Sequence, residues 1–320
     1  MSTDAPSRAA NKTTIGDEAA VRTPQTPKKF KPGGNDSLWA LVFLFPQVAG
    51  LLVFALLPML GVLALSMTDW DGFGEISFVG FSNYVAQFQS RELFVALRNT
   101  LVYTAIVVPG GVGLALLVAM GVNQVRGKTF YRLFFFMPYV TSAVAVSVIW
   151  LFILNADIGL INVYLERFFG VPGPGWLTNP VLVMPSISIV SIWQGLGFNM
   201  VILLAGLQTI PNEYREAASV DGAGRFRQFF SITLPLLSPT LFFVVVVSII
   251  NSFQVFDQAF VLTQGGPGLA SHTLVYHLYE LAFVDFTFGA SSAAAVILFA
   301  IILVMTLIQF RIQKRWVHYD

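Results

Sequence analysis

Six strongly apolar stretches of the chain, each without a charged side chain, exceed the roughly 18 residues that a membrane span requires. An α-helix rises about 1.5 Å per residue, so each stretch can cross a hydrocarbon core of about 30 Å. Because lipid offers no water, the backbone polar groups of a span must be satisfied internally, which favours helices. The pattern therefore predicts six transmembrane helices, at Leu38–Leu65, Asn99–Val122, Leu133–Leu154, Val181–Leu207, Ile232–Phe256 and Phe286–Phe310.

The composition agrees with a membrane protein. Hydrophobic residues make up 56% of the chain and charged residues only 11%, whereas soluble domains carry about 25% charge. The chain has 18 basic and 17 acidic residues, and ten of these charged residues lie within the first 37 positions. We predict an all-α polytopic membrane protein with a polar, disordered cytoplasmic tail over residues 1–37, a six-helix domain over 38–310 and a short cytoplasmic tail over 311–320.

Lysine and arginine predict the orientation of the spans. Fifteen of the 18 basic residues lie in the N-terminal tail, the loops 123–132 and 208–231, and the C-terminal tail. The loops 66–98, 155–180 and 257–285 together hold the other three. Since cytoplasmic loops are enriched in lysine and arginine, we predict that both termini and the loop 208–231 are cytoplasmic.

Several kinds of chemistry are excluded by residues that the sequence lacks. It contains no cysteine and only three histidines, His272, His277 and His318, so we expect no disulfide, thiol nucleophile or metal site. The predicted spans hold none of the ionisable residues that proton-coupled carriers and ion pumps place in the bilayer. The sequence offers no GxxxxGK[ST] phosphate loop and no catalytic triad, so we expect no enzymatic activity. A net charge of +1 gives no support to nucleic-acid binding.

The loop between the fourth and fifth spans predicts two short helices joined by a tight turn. Residues 213–218 are good helix formers and follow Pro211, a residue suited to the first turn of a helix. Asp221 and Gly222 then end this helix, since glycine tolerates left-handed backbone angles. Residues 225–230 can form a second helix that enters the fifth span, which gives a helix–turn–helix elbow at the membrane surface.

The elbow resembles a motif of bacterial ABC importer permeases, EAA-x3-G-x9-I-x-L-P. Glu216-Ala217-Ala218, Gly222 and Ile232-Thr233-Leu234-Pro235 match this pattern with both spacings intact. The resemblance implies a fold like that of type I ABC importers, in which the cytoplasmic coupling loop, residues 208–231, docks into a cleft on an ATPase subunit. The ATPase-coupling residues that it implies are Glu216, Ala217, Ala218, Asp221 and Gly222.

Shorter stretches resemble the carbohydrate-uptake branch of that family, typified by the first permease of the maltose transporter. They are Leu65–Trp70, Phe81–Tyr84, Asn99-Thr100, Ala205–Pro211 and Leu262–Pro267. The branch implies an inner-membrane permease that pairs with a second permease subunit, two ABC ATPase subunits and an extracytoplasmic solute-binding protein. ATP and Mg²⁺ would then bind to the partner ATPase, and this chain would hold no cofactor.

Polar side chains on the fourth and fifth spans form a candidate path for the solute. Helical spacing places one set on a face of the fourth span with two flanking residues: Ser191, Gln194, Gly195 and Phe198, flanked by Trp193 and Asn199. It places a second set on a face of the fifth span: Ser248, Asn251, Ser252 and Val255, beside Gln254. Hydroxyl, amide and aromatic groups suit sugars, and both sets match stretches that contact the sugar in maltose-type permeases. The alternative for each residue is hydrogen bonding between helices.

Three functions remain open from the sequence. Uptake of a sugar or sugar-like solute is favoured. An ABC permease for glycerol phosphate or a related phosphodiester is the alternative, although such a solute would favour a basic residue along the path and the spans contain none. A passive channel or facilitator is disfavoured because the elbow would have no purpose there. In the loop after the fifth span, we expect His272 and His277 to be solvated or to contact the binding protein.

Overall fold

The computed structural model describes residues 36–316, with side chains over residues 38–314. Of the two predicted tails, residues 1–35 and 317–320 lie outside the described part of the chain. The chain divides into two compact units, Met1–Ala55 and Leu56–Asp320. The site described below lies entirely within the second unit.

Helices make up nearly all of the regular structure. In chain order they are α1 (Asp36–Leu51), α2 (Leu57–Leu65), α3 (Ser82–Gln89), α4 (Arg91–Gln124), α5 (Lys128–Val140), α6 (Ala143–Ile153), α7 (Leu160–Phe169), α8 (Val183–Thr209), α9 (Asn212–Val220), α10 (Arg225–Gln228), α11 (Leu234–Phe253), α12 (Asp257–Thr263), α13 (Leu274–Phe283) and α14 (Phe288–Trp316). Two π-helices, Leu52–Leu56 and Phe229–Thr233, precede α2 and α11. The short strands β1 (Thr68–Asp69) and β2 (Ser77–Phe78) pair antiparallel, with Thr68 opposite Phe78.

Five of the six predicted spans are long apolar helical segments, at Leu38–Leu65, Arg91–Gln124, Val183–Thr209, Arg225–Phe253 and Phe288–Lys314. The third predicted span differs. Its residues, Leu133–Leu154, belong mostly to α5 and α6, which together are apolar enough to cross a membrane but bend by 91° at their junction. The third predicted span is therefore not one straight helix, and its two helices form either a broken span or a re-entrant segment.

The break between α5 and α6 has a local cause. Pro138 lies in the last turn of α5, where it removes a backbone donor. Thr141 and Ser142 then adopt ψ angles of 143° and 129°, outside the helical region. Hydropathy does not register these backbone angles, so the apolar run looks continuous in the sequence.

The core of the second unit is built around α4 and α8. Their apolar faces meet α11 in a cluster that includes Val112, Ala115, Met200 and Leu237, all of which are buried. At Gly197 of α8, an added Cβ would collide with the backbone of α5 at Phe135 and Phe136. Glycine at this position therefore allows α5 to pack directly on α8, which fixes the orientation of α5.

Candidate functional site

A cavity of about 660 Å³ lies among α4, α5, α6, α8, α11 and α12. Ten of the eleven path residues predicted from the sequence line it, namely Ser191, Gln194, Gly195, Phe198, Asn199, Ser248, Asn251, Ser252, Gln254 and Val255. The two predicted helix faces thus meet around one space. Whether these residues contact a solute stays a prediction at this point.

Trp193 is the path residue that the structure does not bring to the cavity lining. Its side chain is 41% exposed, and its ring packs edge-on against Trp150 with the ring centroids 5.6 Å apart. Neighbouring positions on an α-helix point about 100° apart. A residue that flanks a helical stripe can therefore face away from the space that the stripe lines.

Gln194 connects three walls of the cavity. Its Nε2 donates a hydrogen bond to the carbonyl oxygen of Thr141, 3.4 Å away at the break between α5 and α6. Its Oε1 accepts one from Nε2 of Gln258 on α12, at 3.0 Å. The Thr141 carbonyl needs such a partner because the last carbonyls of a helix lack intrahelical donors. This buried glutamine therefore stabilises the break between α5 and α6 and also forms part of the polar wall of the cavity.

Ser252 lines the cavity but also joins two helices. Its Oγ lies 2.9 Å from Oγ1 of Thr104 on α4 and donates to the carbonyl oxygen of Ile249 at 2.8 Å. The residue is only 3% exposed. The alternative of hydrogen bonding between helices therefore applies to Ser252, whereas Asn251 and Gln254 are exposed residues of the same wall.

Sequence reasoning missed the cavity walls contributed by α4 and by the break. These walls include Tyr103, Val107, Gly111, Tyr139, Thr141 and Ala143. The Tyr139 ring stacks on Phe198, with centroids 4.8 Å apart, and so extends an aromatic surface from α8 to α5. Small and polar residues inside the second predicted span were a usable signal for α4. No hydropathy signal marked the α5–α6 junction.

The cavity is polar but nearly uncharged. Among the described residues that line it, Asp257 alone carries a charge, and the other polar groups are hydroxyls and amides. A neutral solute rich in hydroxyls can exchange hydrogen bonds with such walls without burying an unpaired charge. An anionic solute would find no cationic side chain among these lining residues.

The predicted elbow is present, with α9 and α10 joined by a turn at residues 221–224. The amide of Gly222 donates to the carbonyl of Ser219 at 3.1 Å, and the amide of Ala223 donates to that of Ala218 at 2.8 Å. This pair of bonds, with Gly222 at a φ of +75°, is a Schellman termination of α9. Gln228 of α10 donates to Ser219 Oγ and to the Ala223 carbonyl, which ties the second helix to the turn.

The elbow presents an exposed surface of mixed character. Glu216, Ala217, Asp221 and Gly222 are exposed, and Ala218 is half-buried. Large apolar side chains stand beside them, with Val220 88% and Phe226 84% exposed. Apolar groups this exposed are typical of a surface that contacts another protein or the membrane.

The loop between α12 and α13 is held by side chains of α4. Nδ2 of Asn99 donates to the carbonyls of Leu269 and His272, at 2.7 and 3.0 Å. Thr100 Oγ1 accepts from the amide of Leu274 at 3.0 Å. Asn99-Thr100, one of the stretches that carried the family resemblance, thus anchors the loop that follows α12.

His272 and His277 are buried, so the expectation that they are solvated is wrong. Their exposures are 1% and 4%. Asn99 of α4 holds the backbone carbonyl of His272 in the loop before α13, and the His277 ring on α13 is hydrogen-bonded to Gln87 of α3. Burial lowers the pKa of His277 to about 4, and burial also lowers the pKa of His272. Both rings are therefore neutral at neutral pH.

A polytopic helical fold with a polar cavity among its spans and an exposed elbow on one connection defines a membrane transport permease. Residues 111–318 match the family described as "Binding-protein-dependent transport system inner membrane component". The chain belongs to this family and is a permease component of an ABC transport system.

Individual relatives agree with this assignment. The chain is 37% identical to the probable ABC transporter permease protein YesP of Bacillus subtilis (strain 168), over 92% of this chain and 96% of that protein. It is 35% identical to the sn-glycerol-3-phosphate transport system permease protein UgpA of Yersinia pestis, over 91% and 99%. The fold superposes on a chain of a bacterial alginate ABC transporter crystal structure with a TM-score of 0.77 at 24% identity, covering 88% of this chain and 96% of that chain.

Proposed function

We propose that this chain is a non-catalytic permease subunit that imports a neutral sugar or sugar-like solute. A polar cavity whose described lining carries a single charge, that of Asp257, is the observation that supports this solute class. Hydroxyl and amide walls and the stacked Tyr139 and Phe198 rings provide the hydrogen bonds and the apolar faces that sugars use.

The alternative solute, glycerol phosphate, is favoured by the relatives named UgpA. A buried dianionic phosphate is commonly balanced by the positive charge of arginine or lysine side chains. The described cavity lining includes no arginine or lysine, and Asp257 would repel the anion. The chemistry of the cavity therefore favours a neutral solute over a phosphate ester.

The proposal for the remaining parts of the transporter is supported by the family to which the chain belongs. ATP and Mg²⁺ bind to two partner ATPase subunits, which receive Glu216 and the Gly222 turn in a cleft, and this chain itself holds no cofactor. A second permease subunit completes the pore, and an extracytoplasmic binding protein delivers the solute. Both termini are cytoplasmic. The exposed Val220 and Phe226 support this docking role, since they leave apolar area for a partner to cover.

The solute class is tested by transport in proteoliposomes that contain the assembled transporter and its binding protein. We expect ATP-dependent uptake of one or more sugars from a panel of neutral mono-, di- and trisaccharides, with no uptake of sn-glycerol 3-phosphate. Saturable uptake of sn-glycerol 3-phosphate together with no uptake of any panel sugar would contradict the neutral-solute proposal and support the alternative.

A further inference from the structure

Three potential metal ligands meet beside α13, at a site distinct from the cavity. They are His272, His277 and Glu280, and one ligand atom from each lies within 4.8 Å of the other two. The two imidazole rings are 5.3 Å apart between centroids. Nδ1 of His272 lies 3.6 Å from Oε2 of Glu280. This separation is longer than a hydrogen bond.

The nitrogen atoms of this cluster lack the partners that buried polar groups normally have. Nε2 of His272 and Nδ1 of His277 are both buried without a hydrogen-bond partner in the described part of the chain. Burying a polar atom in this way costs free energy unless something binds it. Two unpaired imidazole nitrogens next to the Glu280 carboxylate are suited to bind a metal cation, which accepts their lone pairs.

The surroundings orient the cluster. Nε2 of His277 is hydrogen-bonded to Oε1 of Gln87 on α3 at 3.0 Å, so the ring has its second nitrogen, Nδ1, free. The carbonyl of His272 is held by Asn99 of α4. Glu280 is 37% exposed, which leaves a route by which an ion can enter.

Contrary to the expectation of no metal site from the sequence, we propose that His272, His277 and Glu280 form a binding site for one Zn²⁺ or a similar borderline divalent transition-metal ion. Two imidazoles and a carboxylate are a ligand set that Zn²⁺ accepts, with water as a fourth ligand. Tetrahedral bonds of about 2.0–2.1 Å place the ligand atoms about 3.3 Å apart. The ligand atoms of the three residues lie within 4.8 Å of one another, so the side chains would have to draw closer around the ion to reach this spacing.

The hydrogen bond from His277 to Gln87 supports this assignment. Metal-bound histidines commonly donate their other ring nitrogen to an oxygen acceptor, which fixes the tautomer and orientation. Gln87 Oε1 occupies that position for His277. The ion would join the loop before α13 to α13 itself. Thr273, which directly follows His272, donates to the carbonyl of the cavity residue Val255 at 3.1 Å. By restraining this segment, the ion would also restrain the cavity wall at Val255.

Zinc titration calorimetry of the assembled, purified transporter, with Zn²⁺ as the sole probe, tests the site. The chain has no cysteine that could bind the ion as a thiolate. We expect one Zn²⁺ per copy of this chain, and loss of this binding in the His272→Gln/His277→Gln variant. Gln87→Leu should weaken binding about 10- to 100-fold. His318→Gln is the matched control, and it should bind as the wild type does.

The double histidine variant could lose zinc binding because replacing buried residues disturbs folding. Glu280→Gln avoids this problem, since Glu280 is partly exposed and its replacement should leave the yield of assembled complex unchanged. It should nevertheless weaken Zn²⁺ binding at least about tenfold, because it removes the anionic ligand. Zinc should also raise the midpoint of thermal unfolding in the wild type and not in the double histidine variant. Absence of stoichiometric binding to the wild type, or unchanged binding in the double variant, would overturn the site. Neither result depends on which solute is transported.

Discussion

At the residue scale, three glycines serve three different purposes. Gly222 adopts a φ of +75° with nothing within 4 Å of an added Cβ, so its requirement is conformational. Gly197 allows close helix packing, and Gly195 faces open space in the cavity. The sequence motif could identify Gly222, because the turn that it forms is local. Gly195 and Gly197 lie on one helix and cannot be told apart until α5 is placed against them.

Replacement of Gly222 tests the coupling elbow, with Gly224 as a matched control in the same turn. Gly222→Val should strain the turn by about 1–2 kcal/mol, because β-branched residues disfavour positive φ. A cost of this size changes an equilibrium by about 5- to 30-fold, so solute-stimulated ATP hydrolysis should fall at least about fivefold. Gly224→Val should behave as the wild type, because Gly224 has a φ of −67° and open space around it. Equal ATPase activity in the two variants would contradict the elbow's role.

At the scale of the elements, the sequence predicted most of the membrane domain and missed its most consequential bend. Apolar runs located five spans, and the helix–turn–helix elbow appeared where propensity and Gly222 had placed it. Pro138 and the extended backbone at Thr141 and Ser142 interrupt the third span, and Gln194 then supplies a donor to the Thr141 carbonyl that the break leaves without an intrahelical partner. Such compensation comes from distant residues, which a hydropathy pattern does not contain.

Cysteine labelling tests whether the bent pair of helices α5 and α6 crosses the membrane or re-enters on the side from which it came. Arg126 lies before α5 and Asp157 after α6, and both side chains are exposed. Because the chain has no native cysteine, Arg126→Cys and Asp157→Cys can each be read without background. An impermeant thiol reagent applied to intact cells should label Asp157→Cys and spare Arg126→Cys until the cells are permeabilised. Labelling of both, or of neither, in intact cells would show that α5 and α6 form a re-entrant segment.

At the scale of the whole molecule, the cavity combines segments that are far apart in the sequence. Its walls run from Tyr103 on α4 to Gln258 on α12, and the α5–α6 break supplies one side. The polar stripes on two spans were sufficient to predict ten lining residues, because helical periodicity groups residues within each span. The wall from α4 was missed although small and polar residues on the second span were a usable signal, whereas the wall from the break could not be predicted, since it depends on how the helices pack.

Uptake by Gly195 variants tests most directly whether this cavity carries the solute. An added Cβ at Gly195 meets nothing within 4 Å, so Gly195→Ala should transport as the wild type does. Gly195→Trp should place a large indole ring in the cavity, obstruct the path and lower ATP-dependent uptake into proteoliposomes at least about tenfold. The yield of assembled complex and its basal ATP hydrolysis should remain at wild-type levels. Wild-type uptake by the well-assembled Gly195→Trp transporter would contradict the account.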